Sequence, residues 1–118
     1  MSKKYDLEER TFLFAKDVRC LVRSLPGNTV NFEDGKQLVR ASGSVGANYI
    51  EANEKLGQKD FLMRAKISRK EAKECIFFLR LLLEGNEKHH VEISRLMQEA
   101  NELKNILSAI IRNTEMKE

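Results

Sequence analysis

The feature that most constrains the fold is the spacing of apolar residues, which recur at steps of three and four along four stretches of the chain. That spacing places them on one face of a helix, and no stretch shows the sustained alternation of a half-buried strand. The stretches run from about residues 6 to 24, 29 to 56, 59 to 84 and 91 to 113. Short connections between long helices favour antiparallel neighbours. The sequence therefore predicts an all-α fold, an antiparallel up-down four-helix bundle.

Turn residues separate the predicted helices. Pro26 and Gly27 end the first helix, and Asn28 or Thr29 is expected to cap the second. Gly57 is expected to close the second helix, and Gly85-Asn86 closes the third. The residues expected in the core are the members of the four apolar stripes: Leu7, Phe14, Val18, Leu21, Val22 and Leu25; Leu38, Ala41, Val45 and Ala52; Phe61, Ala65, Ser68, Ala72, Cys75, Ile76, Leu79, Leu82 and Leu83; Ile93, Leu96, Ala100, Leu103, Leu107 and Ile110.

Length and composition are those of one folded domain spanning residues 1–118. The charged fraction of 33% and the hydrophobic fraction of 42% are typical of soluble globular proteins. The longest apolar run, from Cys75 to Leu83, is too short to span a bilayer, and the N-terminal MSKKYDLEER lacks the apolar segment of a secretion signal. We therefore expect a cytoplasmic protein in which Cys20 and Cys75 are reduced and buried, with a disulfide as the alternative.

The stretch RASGSVGANYIEANEK, from Arg40 to Lys55, raises the question of catalysis because it holds two glycines and two serines within five residues. A phosphate-binding loop needs a lysine directly after its second glycine, and none follows Gly46 until Lys55. A nucleophile elbow needs glycine where this chain has Ser42. Neither pattern is met, so we expect this stretch to be helical and the protein not to be an enzyme.

Small residues on that helix form a strip nearly free of side chains, made of Gly43, Gly46 and Ala47 with Ile50 beside them. Such a strip lets another backbone approach closely, which offsets the cost of roughly 1 kcal/mol that a helical glycine carries relative to alanine. A polar column lies beside the strip and consists of Arg40, Ser44, Asn48, Glu51 and Lys55. We interpret the strip and the column as a second contact surface for a partner, with a solvated face as the alternative.

Basic residues concentrate in the third predicted helix, where seven occur against three acids between residues 59 and 80. Four share the face opposite the apolar stripe: Lys66, Arg69, Lys70 and Lys73. Together with Lys59 they are the candidate nucleic-acid-binding residues, because a basic face holds a phosphate backbone without reading sequence. A solubilising surface with pairs such as Lys70–Glu74 is the alternative. No aromatic residue is expected among these basic residues. Stacking of unpaired nucleobases on this face therefore has little support.

The sequence gives little support for metal binding or for catalysis by carboxylates. The adjacent His89 and His90 point in different directions on a helix, and no third ligand accompanies them at suitable spacing. No glutamate has the histidine three residues later that a di-iron bundle requires. We expect no catalytic residue, no metal, no cofactor and no small-molecule substrate. Glu71 and Glu74 are expected to pair with basic neighbours or to lie at a subunit contact.

Blocks of this sequence also carry a family resemblance. They are QLVRA (37–41) with SVGANYIEA (44–52), DF (60–61) with ISRKEA (67–72) and FFLRLL (77–82), and ELKNIL (102–107) with II (110–111). Their order and spacing resemble the bacterial four-helix-bundle proteins encoded in 23S rRNA intervening sequences, also called the S23 ribosomal protein family. Many relatives read N-I-A-E-G where this chain has Asn48-Tyr49-Ile50-Glu51-Ala52, and both sequences end in a small residue.

The resemblance implies a four-helix bundle that assembles as a homopentameric ring, with no catalytic residues to carry over. The accessory protein of diversity-generating retroelements is similar in fold, and this relation implies a basic scaffold that contacts RNA and a reverse transcriptase. The leading hypothesis is a non-enzymatic oligomeric scaffold that binds structured RNA, or an RNA-handling partner, through basic surfaces. The alternative is a protein-interaction module with no nucleic-acid role, which uses the small-residue strip. Neither hypothesis involves a membrane.

Overall fold

A computed structural model of the protein describes residues 3–54 and 56–117. They form four helices, α1 (Lys3–Ser24), α2 (Thr29–Ala52), α3 (Gln58–Gly85) and α4 (His90–Met116), and a short 3-10 helix at Glu87–His89 precedes α4. Within these two ranges no strand occurs. The predicted all-α fold of four helices is therefore confirmed.

The helices run alternately up and down, each packing on the next, and α4 returns to contact α1. Two ion pairs show that α1 and α4 are antiparallel. Arg10 Nε lies 2.7 Å from Glu99 Oε2, and one to two turns further along α1, Asp17 Oδ2 lies 3.1 Å from Arg95 Nη2. The bundle is elongated, with extents of 48 × 26 × 19 Å. In the part of the chain that the structure describes, no helix is long and apolar enough to cross a membrane.

The predicted apolar stripes meet along the bundle axis and form the core. Six predicted members are only half-buried: Val22, Leu25, Phe61, Ile76, Leu83 and Ile110. Cys75 is buried as predicted, and its burial raises the pKa of the thiol. The expectation that Cys20 is also buried is wrong. Cys20 is exposed because the buried residues Val18 and Leu21 define the inner face of α1, and Cys20 falls on the outer side.

The start of α2 agrees with the prediction, and its end does not. Asn28 caps the start as expected, since its Oδ1 accepts a hydrogen bond from the Asn31 amide at 2.8 Å. The helix ends at Ala52, four residues before the predicted end at residue 56. Asn53 follows, and its Nδ2 donates to Glu8 Oε2 of α1 at 2.8 Å, which holds the chain against α1. Gly57 does not close α2. It lies at the start of α3 with φ +124°, a conformation that favours glycine.

Two buried asparagines join the turns at one end of the bundle. Asn31 and Asn86 exchange side-chain hydrogen bonds of 2.9 Å in both directions. Asn31 Nδ2 also donates to the Pro26 carbonyl at 3.0 Å, and Asn86 Nδ2 donates to the Leu82 carbonyl at 2.8 Å. Because buried amides carry a large penalty when unpaired, these bonds fix the end of α3 relative to the α1–α2 turn.

Candidate functional site

The outward face of α3 carries the basic residues predicted from the sequence. Lys59, Lys66, Lys70 and Lys73 are exposed, and Arg69 is half-buried. This orientation follows from the opposite side of α3, which packs on α2 and α4 through a buried set: Ala65, Ser68, Ala72, Cys75, Leu79 and Leu82. The Ser68 hydroxyl donates to the Val45 carbonyl at 2.7 Å, which fixes the rotation of α3 against α2. We call the outward surface of α3 the basic face.

One of the predicted bases is neutralised within the bundle. Lys66 Nζ lies 3.1 Å from Glu115 Oε2 of α4. Across residues 3–54 and 56–117, no salt bridge involves Lys59, Arg69, Lys70 or Lys73. The intrahelical salt bridge between Lys70 and Glu74 that the solubilising interpretation invoked is therefore not formed there.

Two carboxylates of α3, those of Glu71 and Glu74, lie at its edge with α2 and are bonded to Arg40. Arg40 Nη2 lies 3.3 Å from Glu71 Oε1 and also 3.3 Å from Glu74 Oε1. Glu71 is buried, so its carboxylate is held away from the basic face. A hydrogen bond with Glu71, followed by burial, raises the pKa of Glu74 despite the attraction of Arg40 and of Lys70. Of the two roles expected for these glutamates, pairing with a basic neighbour is confirmed, and that neighbour comes from another helix, whereas a subunit contact stays a prediction.

An aromatic side chain, Phe77, lies one turn beyond Lys73 on the outward side of α3, while none lies between Lys66 and Lys73, as expected. Phe77 follows Lys73 by four residues and precedes Arg80 by three, and 57% of its surface is exposed. It points outward because the buried stripe of α3 passes through Cys75 and Leu79 on either side of it. Helical spacing from Lys73 was the signal in the sequence that would have located Phe77 on this face.

The small residues of α2 take two different roles. Gly46 is buried against α1, where a Cβ atom added to it would lie 2.9 Å from Thr11 Oγ1 and 3.2 Å from Thr11 Cβ. Gly43 is half-buried, and a Cβ atom there would lie 3.2 Å from Arg19 Nη2, the far end of a long side chain. Ala47 is exposed. Gly46 therefore serves packing within the bundle, whereas Gly43 and Ala47 face an accessible groove.

That groove lies between α1 and α2 and has a volume of about 520 Å³. Its lining includes the three small residues of the strip, and it is bordered by Phe12 and Ile50, which are 61% and 47% exposed. Three basic residues of α1 line it as well: Lys16, Arg19 and Arg23. We call it the α1–α2 groove. Sequence reasoning found its α2 side but missed the α1 side, because pairing of the two helices cannot be seen in the spacing of either one.

The polar column of α2 lies on the side that faces α3. Arg40 is occupied by the glutamates of α3, while Asn48 Nδ2 donates to Ser44 Oγ at 2.8 Å and to the Ser44 carbonyl at 2.9 Å. Glu51 is exposed, and Lys55 lies outside the described residues. Arg40, Ser44 and Asn48 thus have partners inside the subunit, and a role of this column in binding a partner molecule stays a prediction.

The two histidines lie at the α3–α4 connection, with His89 half-buried at the end of the 3-10 helix and His90 exposed at the start of α4. In the described ranges, no group of three or more His, Cys, Asp and Glu side chains is placed to hold a metal ion.

Comparison with known proteins supports the family suggested by the sequence blocks. The sequence model of the family described as 23S rRNA-intervening sequence protein matches residues 3–109. A crystal structure from Bacteroides thetaiotaomicron VPI-5482, of a protein with unknown function from the S23 ribosomal protein family, is similar with a TM-score of 0.78. The match covers 89% of this chain and 97% of that chain at 24% identity, which shows a shared fold. No curated protein matches this chain by sequence. Because the family match spans most of its length, the chain belongs to the 23S rRNA-intervening sequence protein family.

Proposed function

We propose that this protein is a non-enzymatic scaffold that binds structured RNA through the basic face of α3. The observation that carries the proposal is the separation of charge across α3. Arg40 of α2 holds the carboxylates of Glu71 and Glu74 at one edge, while Lys70 and Lys73 point outward. These two ammonium groups form no salt bridge with the described residues, so they are free to contact phosphates.

The dimensions of the basic face suit a nucleic-acid backbone. Lys59 and Lys73 are 14 residues apart, which corresponds to about 21 Å along the helix axis. Phosphates of a B-form DNA strand recur every ~3.4 Å along the helix axis, and those of an A-form RNA strand are closer, so the face spans several of them. Binding of this kind is governed by release of counterions and tolerates changes of base sequence. The family description names an intervening sequence of 23S rRNA and no activity, so the proposal rests on the charge arrangement of α3.

We also propose that the protein assembles as a homo-oligomer in the cytoplasm, with the pentameric ring that the family resemblance implies. A ring repeats the basic face in each subunit. Repetition raises the local positive potential above that of one subunit with a formal net charge of +3. Assembly would therefore strengthen binding to a large folded RNA more than binding to a short fragment.

The test is fluorescence anisotropy of the purified protein with a labelled structured RNA across a salt series. For the unmodified protein, the logarithm of the binding constant should fall linearly with the logarithm of salt concentration. The double variant Lys70→Glu/Lys73→Glu should bind more weakly and lower the salt slope by about two. The matched control is Lys36→Glu/Arg112→Glu, which changes net charge equally at exposed positions of α2 and α4 and should retain binding.

Two results would contradict the proposal. If the intact oligomer does not bind RNA at low salt, the basic face is a solubilising surface. If both double variants lose binding equally, net charge governs the interaction and the basic face has no special role.

A second candidate function is a protein-interaction module that docks a partner helix in the α1–α2 groove. The observation that favours it is the pair of exposed apolar side chains, Phe12 and Ile50, on either side of the small residues Gly43 and Ala47. The groove is shallow in side-chain volume where Gly43 and Ala47 lie and apolar at its edges. The side chains of another helix can pack into a groove of this kind.

The groove can be blocked without disturbing the core, because Ala47 is exposed and Gly43 faces the far end of the long Arg19 side chain. Gly43→Leu/Ala47→Leu should lower the number of subunits measured by native mass spectrometry, or abolish binding of a helical partner, while circular dichroism stays unchanged. Asn105→Leu, at an exposed position of α4, is the control. A folded double variant with full assembly and unchanged partner binding would exclude the groove as a contact.

A further inference from the structure

Phe77 is a large aromatic side chain on the basic face, with 57% of its area exposed. It lies seven residues after Lys70, four after Lys73 and three before Arg80, and these intervals place all four on one side of α3. Leu81, four residues further on, is 41% exposed and widens the apolar surface around the ring. Proteins hold unpaired nucleotides with aromatic rings that lie among basic side chains.

The ring of Phe77 is restrained by a neighbour. Its centroid lies 5.3 Å from that of Phe78, with the two planes at 80° in an edge-to-face contact. Phe78 is half-buried and packs against the core, so the edge-to-face contact links the exposed ring to an anchored side chain. A ring whose rotation is already limited loses less conformational entropy when a base stacks on it.

Positive charge lies on both sides of the ring along the helix. Lys73 precedes it by about 6 Å along the axis and Arg80 follows by about 4.5 Å. Both side chains are exposed, and among the described residues neither forms a salt bridge. A strand crossing this surface would place phosphates near the two charges while the base between them meets the ring.

We propose that Phe77 is a stacking platform for an unpaired base, so that the RNA recognised by the basic face contains a loop or a single-stranded segment. This inference rests on the proposed function, because it assumes that the basic face contacts RNA. Bases within a continuous duplex are stacked on each other and do not reach a side chain on a convex helix surface. The protein should therefore prefer a hairpin with an unpaired loop to a fully paired duplex of the same length.

The experiment measures the affinity of the purified protein for these two RNAs by anisotropy at one salt concentration. Phe77→Leu keeps an apolar side chain but removes the aromatic face, and it should bind the looped RNA roughly tenfold more weakly while its affinity for the duplex stays the same. Phe77→Tyr keeps the ring and should retain the preference. Val91→Ala, which removes exposed apolar surface at the start of α4 and away from Phe77, is the control and should also retain it.

The outcomes separate this inference from the proposed function. If the protein binds both RNAs with equal affinity and Phe77→Leu changes neither, the basic face binds RNA but Phe77 does not stack, and the inference is overturned. If the protein binds neither RNA, the proposed function fails and the inference falls with it. Loss of duplex binding in Phe77→Leu would also overturn it, because stacking on an unpaired base does not contribute to duplex affinity.

Discussion

Gly43 and Gly46 lie three residues apart in α2 but meet different neighbours. Gly46 packs on Thr11, where an added Cβ would lie 2.9 Å from the hydroxyl oxygen and 3.8 Å from the backbone carbonyl carbon. Gly43 faces the end of the Arg19 side chain, which is long enough to move aside. The close approach of α1 to α2 therefore depends on Gly46 and not on Gly43.

Alanine substitutions should separate these two roles. Gly46→Ala should lower the free energy of unfolding by about 1–3 kcal/mol, because α1 has to shift to accommodate the methyl group. Gly43→Ala should raise it by up to about 1 kcal/mol, because alanine is the better helix former and the Arg19 side chain moves aside. Urea denaturation followed by circular dichroism measures both. Equal effects of the two substitutions would show that α1 does not approach α2 most closely at Gly46.

At the scale of single elements, periodicity was enough to predict the helices and most of the core. Stripes at steps of three and four identify the buried face of each helix, since a bundle leaves only one side of each helix for the core. The end of α2 was harder to predict from the sequence, because it depends on the hydrogen bond between Asn53 and Glu8, which are 45 residues apart. The cap at Asn28 was predictable because its bond to Asn31 is local.

The same distinction applies to the candidate site. The basic face could be predicted, because Lys70 and Lys73 are placed by the register of one helix. The net charge of the basic face could not be predicted in the same way, because it depends on two contacts between helices. Arg40 binds the carboxylates of Glu71 and Glu74, and Glu115 neutralises Lys66. The position of Phe77 on the basic face could have been predicted from the same helical register, since it follows Lys73 by four residues.

At the scale of the whole molecule, the two candidate surfaces belong to different helices. The basic face lies on α3, whereas the α1–α2 groove lies on the helix pair that includes α1, and α1 and α3 make no direct backbone contact in the described chain. A subunit can therefore use the groove for assembly and the basic face for RNA at the same time. In the proposed scaffold, the groove would hold the subunits together and the basic face would be repeated around the assembly.

The most direct test is ultraviolet cross-linking of the assembled protein to a structured RNA, with identification of the cross-linked peptides by mass spectrometry. The account predicts that cross-links concentrate between residues 59 and 80 of α3, with Phe77 among the modified positions. Cross-links confined to the α1–α2 groove or to α4, in a sample that binds RNA, would contradict it and move the RNA contact away from the basic face.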